Sequence, residues 1–132
     1  FLIADVSRRG HTATMDARAH ADAWLAAWRE RDLDAIMACY AEDVDFVAST
    51  VVRRWGRADG RLHGLDELRL HFEQGLKLAP DLALTEEALL SSPDGYALFY
   101  HRENGNRVLD VVELDAAGRA ARVRAFYEHQ QR

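Results

Sequence analysis

Two alternating apolar runs meet at Asn104-Gly105 in the stretch YALFYHRENGNRVLDVVEL, residues 96–114, and this stretch constrains the fold more than any other. Asn-Gly readily supplies the positive φ angles of a two-residue hairpin turn. With those two residues as the turn, counting outward pairs Glu103 with Asn106, His101 with Val108 and Phe99 with Asp110. Side chains alternate with period two across a sheet, so Ala97, Phe99, His101, Val108, Asp110 and Val112 are expected on one face. That face is apolar except for one carboxyl, Asp110, with His101 diagonally across from it.

A charged carboxylate on an apolar face is costly unless it is neutralised or held by a partner, and either outcome perturbs its pKa. Two readings of Asp110 follow: an exposed or satisfied strand residue, or an acid at the bottom of a pocket. The hairpin register decides between them, because a slip of one residue sends Asp110 and His101 to opposite faces.

At 132 residues the chain is expected to be a single folded domain over residues 15–132, preceded by an extension over 1–14 to which no function is given. A domain of this size buries roughly two-thirds of its unfolded surface and needs no metal or disulfide to fold. The lone Cys39 has no intrachain partner, which fits a reducing compartment. The net charge of −5 and pI near 5.6 argue against binding of nucleic acid or other polyanions. Arg53, Arg54, Arg57 and Arg61 crowd one segment, as a local anion site or as a solvated loop. No apolar run reaches the length of a membrane span, and Phe1-Leu2-Ile3 is too short for a signal-peptide core. A soluble, cytoplasmic protein is expected.

Along the chain, Ala17, Ala21, Trp24, Leu25 and Trp28 trace a helical stripe over residues 16–31, with Thr14 or Asp16 as cap. Asp32 can cap a shorter helix through Ile36 to Tyr40. Val44 to Val52 is rich in β-branched residues and reads as a strand, with Val44, Phe46 and Ala48 on one face. After a loop from Gly56 to Gly60, Leu65, Leu68, Phe72 and Leu76 repeat at helical spacing, ending between Gly75 and Pro80. Leu82 to Leu90 reads as a strand, Ser91 to Gly95 as a turn, and Ala120 to His129 as the last strand after the hairpin. Helices early and strands late predict an α+β domain: a curved, antiparallel or mixed sheet wrapped around three helices. Leu98, Tyr100, Leu109, Val111 and Phe126 are expected on the face opposite Asp110. Such a patch predicts a homodimer joined through the outer sheet face; the alternative is that the N-terminal extension or helix ends cover it.

Three blocks, WLAAWRERDLDAIMACYAEDVDF, RLHGLDELRLHFEQGL and VLDVVELDAAGRAARVRAFY, in this order and spacing, resemble the nuclear-transport-factor-2-like superfamily, in its ketosteroid-isomerase-like and SnoaL-like branch. The resemblance runs from Asp22 to Tyr127. It implies a cone-shaped sheet closed by three helices around a deep apolar pocket, with frequent dimerisation across the outer face. The aspartate that serves ketosteroid isomerases as general base falls at Ala48, so the base is missing. Their oxyanion-hole tyrosine corresponds to Trp24 and the supporting tyrosines to Phe72 and Tyr40, while the protonated oxyanion-hole aspartate aligns with Asp110. The hairpin is several residues shorter than the family's. The resemblance therefore excludes a standard ketosteroid isomerase, and His101 with Asp110 is similar in kind to the histidine–aspartate pairs of related dehydratases and cyclases.

His11, His20, His63, His71 and His129 show no metal-ligand spacing, and His71 reads as a surface or rim residue. Trp24, Trp28, Tyr40, Phe46, Trp55 and Phe72 line a pocket or form plain core. No phosphate loop or nucleophile elbow is present, and general acid–base chemistry is the reaction type that the residues supply. The expected function is a cofactor-independent isomerase, dehydratase or cyclase acting on a small apolar molecule with a carbonyl or hydroxyl. Asp110 and His101 would be catalytic, with Trp24, Tyr40, Phe46, Trp55, Phe72, Phe99, Val123 and Tyr127 around the substrate. The rival reading is a non-catalytic ligand-binding or dimerisation module of the same fold.

Overall fold

A computed structural model of the chain describes residues 17–129. The caps expected at Thr14 or Asp16, the extension over 1–14 and His11 lie outside that range. Helix α1 covers 17–30 and buries the stripe Ala17, Ala21, Trp24, Leu25 and Trp28, as its spacing predicts. It stops at Arg31, which adopts a left-handed φ of 55°. The Asp32 N–H donates to Ala27 and the Arg31 N–H to Trp28, a paired closure in which glycine usually holds the left-handed position. Arginine holds it here because its guanidinium donates to the carbonyls of Leu76 and Ala79, at 2.6 and 3.2 Å. Those carbonyls end a later helix, where a cation is favoured.

Asp32 accepts from the Ala35 N–H and caps α2, Leu33–Met37. That helix stops short of Tyr40, which instead opens strand β1, Tyr40–Val47. Val44, Phe46 and Ala48 are buried as expected, but the strand does not run on to Val52. The chain turns at Ala48 into a short helix α3, Ser49–Trp55. A strand would send Thr50 and Val51 to opposite faces; a helix lets both consecutive side chains reach the interior, and both are buried. The β propensity of a Thr-Val-Val run is overridden by that packing.

Strand β2, Arg61–His63, follows the loop and was not legible in the sequence. Helix α4, Leu65–Leu78, and strands β3, Leu84–Ser92, β4, Gly95–Arg102, β5, Arg107–Leu114, and β6, Ala120–Tyr127, complete the described chain. The six strands form one sheet in the order β2-β1-β6-β5-β4-β3. Only the β1–β6 pairing is parallel. The α+β class with a mixed, curved sheet and early helices is thus as expected, with α3 as an additional helix. The core between helices and sheet holds Ile36, Val44, Val51, Leu62, Leu68, Leu98, Val108 and Val123, all fully buried. His20 fastens α1 to it: Nε2 lies 2.8 Å from the Cys39 carbonyl, which only accepts, so Nδ1 accepts from the Tyr96 hydroxyl at 2.7 Å.

The hairpin differs from expectation by one residue. Leu98 faces Asp110, Tyr100 faces Val108 and His101 faces Arg107. The loop has three residues, Glu103, Asn104 and Gly105, because Arg102 pairs with Asn106 through its N–H at 2.9 Å and Gly105 donates back to Arg102 at 2.8 Å. Gly105 takes a φ of 85° and Asn104 accepts from the Asn106 N–H at 3.0 Å. This is the three-residue loop in which a turn is followed by one left-handed residue. The pairings Glu103 with Asn106, His101 with Val108 and Phe99 with Asp110 are therefore not formed. Tyr96, Leu98 and Tyr100 join Val108, Asp110 and Val112 on the inner face, while Ala97, Phe99 and His101 go to the outer face with Leu109, Val111 and Phe126. Leu98 and Tyr100, expected outside, are among the most buried residues of the sheet.

Candidate active site

The inner face of the sheet and the helices enclose a cavity of about 130 Å³. Its aromatic wall comes from α1, β1 and α4 through Trp24, Trp28, Tyr40, Phe46 and Phe72, packed tilted or edge to face with ring centroids 5.2–5.9 Å apart. Tyr100, Asp110, Ala125 and Tyr127 close it from the sheet, and Thr50, Arg54 and His71 from α3 and α4.

Asp110 is 7 % exposed. Burial pushes its carboxyl up to about 7, against a smaller opposing effect of the Tyr100 hydroxyl, which donates to Oδ2 at 3.4 Å. The other oxygen, Oδ1, is buried with no partner among the described residues, and so is Trp28 Nε1. Buried polar atoms are usually satisfied, so two such atoms on residues that line one cavity mark it as a place for polar ligand groups. Trp24 donates to the Tyr40 hydroxyl oxygen at 2.7 Å, which leaves the phenolic hydrogen of Tyr40 to be donated elsewhere. Burial beside Asp110 holds both Tyr40 and Tyr100 well above the ordinary tyrosine range, so both remain donors.

His71 contributes from the other side. Trp55 donates its indole N–H to Nδ1 at 3.2 Å, so Nδ1 is the bare nitrogen and Nε2–H donates to Thr50 Oγ1 at 3.1 Å. Burial, with the Arg54 guanidinium beside it, lowers His71 to about 4. The ring is neutral, both nitrogens are engaged, and it serves to hold Thr50 and α3 in place.

The SnoaL-like domain model matches residues 21–130. The chain belongs to the SnoaL-like domain family. A search among curated proteins finds no sequence match. Solved structures of similar shape include a SnoaL-like protein of unknown function from Burkholderia thailandensis, 28% identical, with a TM-score of 0.83 over 87% of this chain and 96% of that one. An NTF2-like protein of unknown function from Burkholderia pseudomallei is 19% identical, with a TM-score of 0.69 over 86% and 91%. A Mycobacterium tuberculosis protein in complex with estradiol-17beta-hemisuccinate is 20% identical, with a TM-score of 0.64 over 86% and 94%. The last two establish likeness of fold. The SnoaL-like fold is thereby established for this chain, and its pocket is lined mostly by apolar and aromatic side chains.

Within this SnoaL-like domain the residues singled out from sequence separate into two groups. Asp110, Trp24, Tyr40, Phe46, Phe72 and Tyr127 meet at the cavity. His101 does not: it lies on the outer face with Nδ1 3.1 Å from Glu87 Oε2, so the His101–Asp110 pair does not exist. Phe99 is 38 % exposed on that outer face, Val123 is core, and Trp55 sits behind His71. Sequence reasoning left Arg54 in a segment read as a local anion site or a solvated loop, and missed Thr50, Tyr100 and His71 at the cavity. The last was detectable, since positions 68, 71, 72 and 75 follow the i, i+3, i+4, i+7 spacing of one helix face, and His71 is 3 % exposed rather than at the surface. Thr50 was hidden by reading Val44 to Val52 as a strand, and Arg54 by leaving the residues just after that strand without an element.

Proposed function

We propose that this SnoaL-like domain is a cofactor-independent enzyme that moves a proton on a small, mostly apolar molecule bearing a carbonyl or hydroxyl. The observation that carries this reading is Asp110: a buried carboxyl at the cavity wall, pushed up to about 7, with one oxygen unpartnered. At neutral pH such a group is present in both forms, which suits an acid or base that accepts a proton and returns it. In an isomerisation the carboxylate takes the proton from the carbon next to a carbonyl. The carboxylic acid then delivers it to another carbon, and the Tyr40 hydroxyl, oriented by Trp24, donates to the enolate oxygen in between. His71 takes no part in proton transfer, because both its nitrogens are engaged.

Ala48 stands where the resemblance places the general base, which favours as second reading a binding module that kept the cavity and lost the chemistry. The two separate by a test that needs no known substrate. A panel of small cyclic ketones is incubated in deuterium oxide and followed by proton NMR. The enzyme reading expects exchange of the α-protons of at least one ketone, reduced at least ~100-fold in Asp110→Asn and unchanged in His101→Gln. Exchange that is equal in parent and Asp110→Asn refutes it.

The reading includes a homodimer. Phe99, Val111, Phe126 and Leu90 expose between 38 and 56 % of their surface on the outer sheet face, and Leu109 lies between Phe99 and Phe126. A contiguous apolar patch of this kind is what a second copy would cover.

A further inference from the structure

Four arginines crowd residues 53–61, and the fold assigns them different fates. Arg57 makes a two-point ion pair with Glu67, at 2.9 and 3.0 Å, and lies over Trp55. Arg61 pairs with Asp45, and Arg53 is exposed. Arg54, although also exposed in part, is the one of the four that lines the cavity, and it makes no ion pair among the described residues. Its Nη1 donates to the His71 carbonyl at 3.3 Å. The guanidinium packs against Gly75 of α4, where a Cβ would stand 3.4 Å from Nη1, at van der Waals contact.

A second guanidinium, that of Arg102, lines the same cavity. One of its Nη atoms holds Glu103 at 3.0 Å, while its Nε is buried with no partner among the described residues. Burial lowers the Arg54 pKa from its ordinary value, and the nearby Arg53 and Arg102 guanidiniums add to that. Asp110 is the single carboxyl among the described residues of the cavity lining, and it is bonded to Tyr100. Glu103 offsets Arg102 and no described carboxylate pairs with Arg54, so one positive charge at the wall is uncompensated whenever Asp110 is protonated. In a chain of net charge −5 that is a local inversion of sign.

Resting on the enzyme reading above, we infer that the substrate is a monoanion: a small apolar body carrying a carboxylate that Arg54 and Arg102 hold, with its carbonyl or hydroxyl oxygen at Asp110. A carboxylate matches a planar guanidinium at two points, and one excess charge matches one carboxylate better than a phosphate dianion. The arginines would then fix the end of the molecule that does not react, and Asp110 would meet the end that does.

The test uses 4-hydroxybenzoate and 4-hydroxycinnamate, two lengths of the same design, each against its neutral amide, with dissociation constants from ligand-observed NMR titration. The expected result is that the parent binds at least one acid about tenfold tighter than its amide, as for a charge-assisted hydrogen bond. The preference shrinks as sodium chloride rises from 50 to 500 mM. It falls to within about twofold in Arg54→Gln and persists in Arg53→Gln. In Asp110→Asn the preference also persists, even if both ligands bind more weakly, so the anion site and the proton-transfer site fail separately. Equal binding of acid and amide by the parent, or a preference that ignores salt and survives Arg54→Gln, overturns the inference and leaves the enzyme reading standing. No saturable binding of any of the four probes overturns it as well.

Discussion

Replacing Asp110 with asparagine should make the protein more stable in alkaline solution and change its stability little in acid. A carboxyl with an ordinary value of 3.8 is raised to about 7 in the fold, because ionising it leaves a charge in a nearly dry wall. Between those two values the folded state binds more protons than the unfolded state, so stability falls as pH rises through that window. Shifting a pKa from 3.8 to about 7 corresponds to about 4 kcal/mol against the ionised form. Asparagine keeps the shape and carries no charge, so Asp110→Asn removes this effect, while the tyrosines that Asp110 also influences, Tyr40, Tyr96, Tyr100 and Tyr127, titrate above the range tested. Urea denaturation of parent and variant at pH 4, 5.5, 7 and 8.5 measures it as a difference of differences. The advantage of the variant should be small at pH 4 and grow by about 3–4 kcal/mol by pH 8.5. A difference that stays constant across this range would refute the raised pKa and remove the main support for Asp110 as a proton carrier.

Tyr100→Phe removes the hydroxyl that donates to Asp110 Oδ2 and opposes the effect of burial. The Asp110 carboxyl, followed by ¹³C NMR, should then titrate above its parent midpoint, and a midpoint at or below the parent's would contradict the contact. Phe126→Glu on the outer face should break the proposed homodimer, because each unpaired carboxylate buried at such an interface costs at least ~2 kcal/mol and two-fold symmetry doubles it. That is about a thousandfold in dimer dissociation constant; sedimentation equilibrium decides, and a parent that stays at the mass of one chain at 100 μM overturns the dimer itself.

Much of the site could be read from the chain. The stripe that carries Trp24 and Trp28, the helix that carries Phe72, the buried positions Val44 and Phe46 and the importance of Asp110 all follow from periodicity and from the oddity of one acid among apolar neighbours. The errors share a cause. Asn104-Gly105 suits a two-residue turn, yet Gly105 is used as the single left-handed residue of a three-residue loop, which moves every pairing in the hairpin by one. Ser49 to Val52 has strand composition, yet it packs as a helix, and that choice alone brings Thr50 and Arg54 to the cavity.

Alternation and helical spacing by themselves determined α1, α2, α4, the strands other than β2, their order and the α+β class, because each depends on side chains only a few residues apart. The tertiary structure decided which side of the hairpin faces inward, that Asp110 is neighboured by Tyr100 and not by His101, and that Arg54 stands at the same wall. Period-two geometry explains this division: shifting a strand pairing by one residue hardly alters its local energy but exchanges its faces, so only the burial of Leu98 and Tyr100 against the helices selects the register.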